Sequence, residues 1–101
     1  MPRVLPDIHN GELRGYIIAC PGCGMHHAFY TELAMTNGAR WTFNGDLERP
    51  TFSPSMLCWW EEGEERAPRR CHSFVRDGRI EYLDDCTHAM KGQTVDLPEF
   101  D

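Results

Sequence analysis

Side chains able to do chemistry gather in two places in this chain. The first is Cys20-Pro21-Gly22-Cys23-Gly24, two cysteines two residues apart with Pro and Gly between them and Gly after. That spacing makes a tight knuckle, whose amides can point at the thiolates while both sulfurs reach one tetrahedral ion. A redox dithiol of the same spacing would open a helix in a βαβ pattern, and no such pattern is present. The second place is RRCHSFVRDGRIEYLDDCTH, Arg69 to His88, with Cys71 and His72 at one end of a hairpin and Cys86 and His88 just past the other. A tetrahedral zinc held by Cys20 and Cys23 needs two more ligands, and these four side chains are the candidates. His26 and His27 are outside candidates with no spacing argument behind them.

The hairpin sorts the candidates. Asp77-Gly78 between Arg76 and Arg79 is a two-residue primed-turn signal, which pairs Val75 with Ile80, Phe74 with Glu81 and His72 with Leu83. Strand side chains alternate between faces, so Cys71 shares one face with Val75, Ile80 and Tyr82, and His72 shares the other with Phe74, Leu83 and Asp85. Adjacent Cys71 and His72 therefore do not easily bind one ion. The preferred ligand set is Cys20, Cys23, Cys71 and His88, with His72 or Cys86 as substitutes. Four protein ligands leave no open position, so such a zinc is structural and not a water activator.

A further candidate is Ser55, in RPTFSPS, Arg49 to Ser55. Pro54 has no N–H for a ladder, so its strand should be an edge or carry a bulge, and a serine beside it can be accessible. Taken alone, Ser53 and Ser55 read as ordinary strand-end serines.

The elements that must position these residues are short and mostly extended. Gly15 to Ala19 is an apolar run leading into Cys20. Met25 to Leu33 fits a strand or a helical turn. Asn37-Gly38 and Asn44-Gly45 bracket Arg40 to Phe43, where Trp41 and Phe43 alternate with polar neighbours. Thr51 to Trp60 starts extended because Arg49 and Ser53 each precede a proline. Gln93 to Leu97 reads as a last strand, and the acidic run Glu61-Glu62-Gly63-Glu64-Glu65 reads as a solvated loop. Trp59 and Trp60 should point opposite ways, leaving one exposed, and Cys58 reads as a small buried hydrophobe. The expected architecture is all-β with minor helical content: a small twisted sheet or partly open barrel, pinned by a zinc knuckle, forming one domain over residues 1–101.

The whole chain sets bounds. A 101-residue domain buries about 65% of its unfolded surface, so a metal staple would help it. The net charge of -6 and scattered basic residues count against a broad nucleic-acid face. No stretch approaches the roughly 20 apolar residues of a membrane span, and the N-terminal segment lacks the apolar core of a secretory signal. A cytoplasmic setting is expected, where five cysteines are metal ligands and buried thiols, not disulfides.

Taken in order, CPGCG, RPTFSPS, CHSFVRDGRIEYLDDCTH and GQTVDLP resemble a family of small domains from phages, prophages and bacterial operons. Members often carry an "ammonia monooxygenase" label, and relatives in bacterial ubiquitin-like (Bub) conjugation operons are regarded as serine peptidases acting on the ubiquitin-like protein. The resemblance spans about Cys20 to Pro98. It implies Ser55 as nucleophile and His72 as its base, with Asp85, on the face of His72, as the orienting acid and Asp84 as the fallback. His72 is thus either a zinc ligand or a base. The larger hydrolases' GxSxG elbow is missing, and no oxyanion hole can be identified. Three functions follow as expectations. They are a zinc-stapled serine peptidase that binds an extended chain end near Pro54, a non-catalytic zinc module for a protein partner, and a zinc-ribbon nucleic-acid binder, which the acidity disfavours.

Overall fold

Turn residues cut the chain into eight antiparallel strands, and the computed structural model describes residues 1–101. β1 (Leu5–His9), β2 (Glu12–Cys20) and β3 (Met25–Tyr30) form one sheet in the order β1-β2-β3. β4 (Thr42–Phe43), β5 (Phe52–Glu62), β6 (Ala67–Arg76), β7 (Arg79–Tyr82) and β8 (Thr94–Asp96) form the second, in sequence order. The fold is all-β, and the two sheets do not close into a barrel. No helix is long and apolar enough to cross a membrane.

The hairpin of β6 and β7 has the expected register, with Val75 opposite Ile80 and Phe74 opposite Glu81. Asp77 and Gly78 both have positive φ, 52° and 80°, the pair a primed turn requires. Cys71, Val75, Ile80 and Tyr82 are buried on one face, while His72, Phe74 and Leu83 lie half-buried on the other. Trp59 is 75% exposed and Trp60 half-buried, as alternation demands.

Several elements differ from expectation. β1 was not expected, although Asn10-Gly11, with φ of 51° and 80°, carries the same turn chemistry as Asp77-Gly78. Met25–Tyr30 is strand and not helical turn, because each residue pairs across to β2. The acidic run is only partly loop. Glu61 and Glu62 pair with Pro68 and Ala67, so the long β5–β6 hairpin carries them and turns after Gly63.

The sheets are joined by stacked aromatics. Phe29 of the first sheet lies 4.2 Å from Phe52 of the second, Phe52 lies 4.7 Å from Phe43, and Trp41 closes on the edge of Phe29. Burying a ring of this size contributes roughly 1.5–3 kcal/mol. The same core includes Cys20, Cys71 and Cys86, so the thiols of both candidate regions lie inside it.

Candidate active site and metal cluster

β5 reaches the outer face of the sheet through an irregularity at Pro54. Phe52 pairs with Val75, yet Met56 pairs with Ser73, so β5 carries two residues more than β6 between these points. The expected bulge is therefore present, and the excess backbone lifts Ser55 toward His72. Ser55 Oγ is 3.2 Å from His72 Nε2.

The other imidazole nitrogen is reached by a second irregularity. Leu83 N–H donates to His72 O at 2.9 Å, and Thr87 N–H donates to Arg70 O at 2.9 Å. Four residues on one side thus match two on the other, and the surplus bows out at Asp84 and Asp85. Asp85 Oδ2 lies 3.1 Å and Oδ1 3.3 Å from His72 Nδ1, with Arg70 Nη1 3.6 Å from the same carboxylate. Asp84 makes no contact with the imidazole. Cys86 fills the gap behind the bow. Its Sγ accepts from His72 N–H and donates to His72 O, both at 3.2 Å, and so holds the main chain of this histidine where the regular ladder is interrupted.

On the inner face, Cys20, Cys23, Cys71 and His27 have donor atoms that all lie within 4.8 Å of one another. Two sulfurs on one tetrahedral ion at about 2.3 Å stand ~3.8 Å apart, and Cys20 Sγ to Cys71 Sγ is 3.9 Å. The knuckle is closed by Gly24 N–H donating to Cys20 O at 2.9 Å. Tyr82 braces it from below, its hydroxyl 3.0 Å from Cys20 Sγ and accepting Gly22 N–H at 2.9 Å. His27 is 5% exposed. Its Nδ1 is 3.5 Å from Cys58 Sγ, while its Nε2 is buried with no hydrogen-bond partner. A buried polar atom of this kind costs free energy unless something meets it, and a cation among the three thiols would do so.

The protonation balance inside this group shows the same crowding. A hydrogen bond from Cys71 holds Cys20 down to about 3, and burial pushes Cys23 up to about 12. Cys71, bonded to Cys20, is pushed far up. Burial disfavours the charged form of His27, but the neighbouring thiols of Cys20 and Cys58 outweigh this and raise it to about 9. Four donors are competing for protons in a space that fits one ion.

His88, the expected fourth ligand, does not join Cys20 and Cys23. It groups instead with Cys71 and Cys86. The surplus residues at Asp84–Asp85 carry it past Cys71, and its ring lies edge-on to Tyr82 at 4.5 Å and over Gly22, where a Cβ would come within 2.4 Å of Cε1. Its Nδ1 accepts Met90 N–H at 3.2 Å, and its Nε2, like that of His27, is buried with no hydrogen-bond partner, so it is the grouping of the donors that sets His27 and not His88 beside Cys20 and Cys23. His27 could have been found by extending the knuckle as a hairpin. Cys20 pairs with Met25 and Ile18 with His27, which puts His27 diagonal to Cys20 on the inner face. Cys58, expected as a small buried hydrophobe, is half-buried with its Sγ against His27 Nδ1, and Tyr82, expected only on the face of Cys71, reaches Cys20 Sγ.

No curated protein and no solved structure matches the chain. A family model does, over residues 3–83, a span that includes Ser55, His72 and all four clustered donors and stops just before Asp85. The chain belongs to the family described as bacterial ubiquitination-like system serine protease (BubE).

Proposed function

We propose that this protein is a serine peptidase whose nucleophile is Ser55, and that it cleaves a protein chain such as a ubiquitin-like precursor or conjugate. The observation that carries this reading is the continuous contact from Ser55 Oγ through His72 to Asp85, at 3.2 Å and 3.1 Å. With Nδ1–H donated to Asp85, Nε2 is left as the acceptor facing the hydroxyl, the tautomer a general base needs. Ser55 Oγ attacks the scissile carbonyl as His72 takes its proton, and His72 then returns that proton to the departing amine. Water attacks the resulting acyl ester, with His72 again the base and Ser55 released as its hydroxyl. Asp85 orients the ring and stabilises its charged form. Arg70 holds Asp85 from the other side.

Zinc is the metal that suits three thiolates and an imidazole, with Cys20, Cys23, Cys71 and His27 as its ligands and Nδ1–H of His27 donated to Cys58. All four positions come from protein, so the ion would supply cross-linking and not chemistry. It would tie β2, β3 and β6 together one residue away from His72.

Fluorophosphonate labelling followed by intact-mass measurement tests the proposal. Wild type should gain one adduct. Ser55→Ala and His72→Ala should gain none, and neither should cleave a ubiquitin-like precursor. Because the two residues act as a unit, the double variant should lose no more activity than either single one. A wild-type protein that is folded and zinc-loaded but neither labelled nor active would leave a metal-stapled binding module, with exposed Trp59 as its anchor, as the better account.

A further inference from the structure

We infer that substrate is held as an added β-strand on the free edge of β5, paired with the main chain of Leu57 and Trp59. This rests on the peptidase reading and adds to it the mode of recognition. β4 covers only Phe52 and Ser53, so β5 beyond the bulge has β6 on one side and no paired strand on the other. The direction of its backbone groups follows from its neighbours. His72 N–H and O are both committed to the far side of β6, to Cys86 and Leu83, and Arg70 N–H and O are committed there to Thr87. In an antiparallel pair, residues opposite such positions also turn their N–H and C=O outward. Leu57 opposes His72 and Trp59 opposes Arg70, so both present a donor and an acceptor to the open edge. Ser55 does likewise, its carbonyl accepting the Trp41 indole N–H at 3.3 Å.

Pro54 to Cys58 of this edge form one wall of a cleft of about 670 Å³, which runs past Ser55 and has β3 at His26 to Ala28 and the loop of Asn37 to Trp41 around its other side. Its floor is the contact between Cys58 and His27, so the metal cluster lies directly beneath and fixes the spacing of the walls. Unpaired strand edges are rarely left long and exposed, because they recruit other strands. Here the edge begins at the candidate nucleophile. Alternating donors and acceptors at strand spacing match the backbone of a polypeptide and no other common ligand. The side chains flanking them, Leu57 at 46% and Trp59 at 75% exposure, offer apolar surface to alternate residues of that strand. Ser55 to Trp59 spans ~13 Å at about 3.3 Å per residue, so recognition should extend four residues to one side of the scissile bond.

The test uses the full-length zinc-loaded protein and a proteome-derived pool of peptides, with cleavage read by mass spectrometry. Proline at 57 removes the outward N–H but breaks no β5–β6 bond. Leu57→Pro should still take the fluorophosphonate while its relative cleavage rates fall tenfold or more, and Leu57→Ala, which keeps the N–H, should lose less. Independently of any variant, N-methylation along the best-cut peptide should slow wild-type cleavage at alternate residues, over four positions on one side of the bond. Cleavage by Leu57→Pro at the wild-type rate overturns the inference, as does insensitivity to N-methylation. A labelled wild type that cuts nothing in the pool also overturns it, because main-chain pairing tolerates most sequences. Absence of wild-type labelling would instead remove the peptidase reading on which the inference rests.

Discussion

Replacing His27 with alanine, beside the same change at His88, asks which imidazole completes the metal cluster. Structural zinc in small domains is bound with roughly 10–16 kcal/mol, so one ligand of four accounts for about 2.5–4 kcal/mol, or ~10²–10³ in Kd. Folding of a chain this size shifts by about 4–8 °C per kcal/mol, so His27→Ala should melt at least ~10 °C early. It should also surrender zinc to a chelator that wild type resists. His88→Ala removes an edge contact with Tyr82 worth about 0.5–1.5 kcal/mol and uncovers Gly22, but should keep its metal. Zinc content by native mass spectrometry, chelator competition and thermal melting are the assays. A His88→Ala protein that arrives without zinc while His27→Ala retains it would refute the choice of His27, which rests on its donor atoms lying with those of Cys20, Cys23 and Cys71.

Two further outcomes follow from groups that support the site without joining it. Cys86→Ala leaves His72 N–H facing no partner, a loss of about 1–3 kcal/mol, and should lower both melting temperature and turnover, with Cys86→Ser recovering part of each; unchanged turnover would mean the backbone of His72 is held by β5 and Leu83 alone. Tyr82→Phe removes the hydroxyl between Cys20 and Gly22 N–H, so zinc affinity by chelator competition should fall about 10–100-fold, and an unchanged affinity would show that the knuckle holds its shape unaided.

What could be read from the sequence was what local chemistry decides. The Asp77-Gly78 turn fixed the β6–β7 register and, through alternation, which of Cys71 and His72 faces inward. Pro54 announced a bulge because it cannot join a ladder. The CPGCG spacing announced a cluster of donors that could hold a metal. What could not be read depended on pairing between distant strands. The surplus at Asp84–Asp85 displaces His88 from the place its spacing suggests, and nothing in the composition of that turn signals a two-residue offset. His27 enters the cluster only once β2 and β3 are paired and their sheet is laid against Cys71 of β6. The packing of the two sheets on each other depends on Phe29 stacking on Phe52, a contact between strands that share no turn.

The placement of the two sites on consecutive residues has a physical reason. Alternation along β6 puts Cys71 inward among the clustered donors and His72 outward at Ser55, so any ion bound by Cys71 fixes the backbone from which the imidazole springs. The same holds across the ladder, where Cys58 opposes Cys71 and Leu57 opposes His72. One strand pair therefore carries the candidate metal donors on its inner face and the Ser55–His72 contact on its outer face. Loss of metal should accordingly cost activity before it costs secondary structure, since the first thing released is the position of β2 and β3 relative to β6.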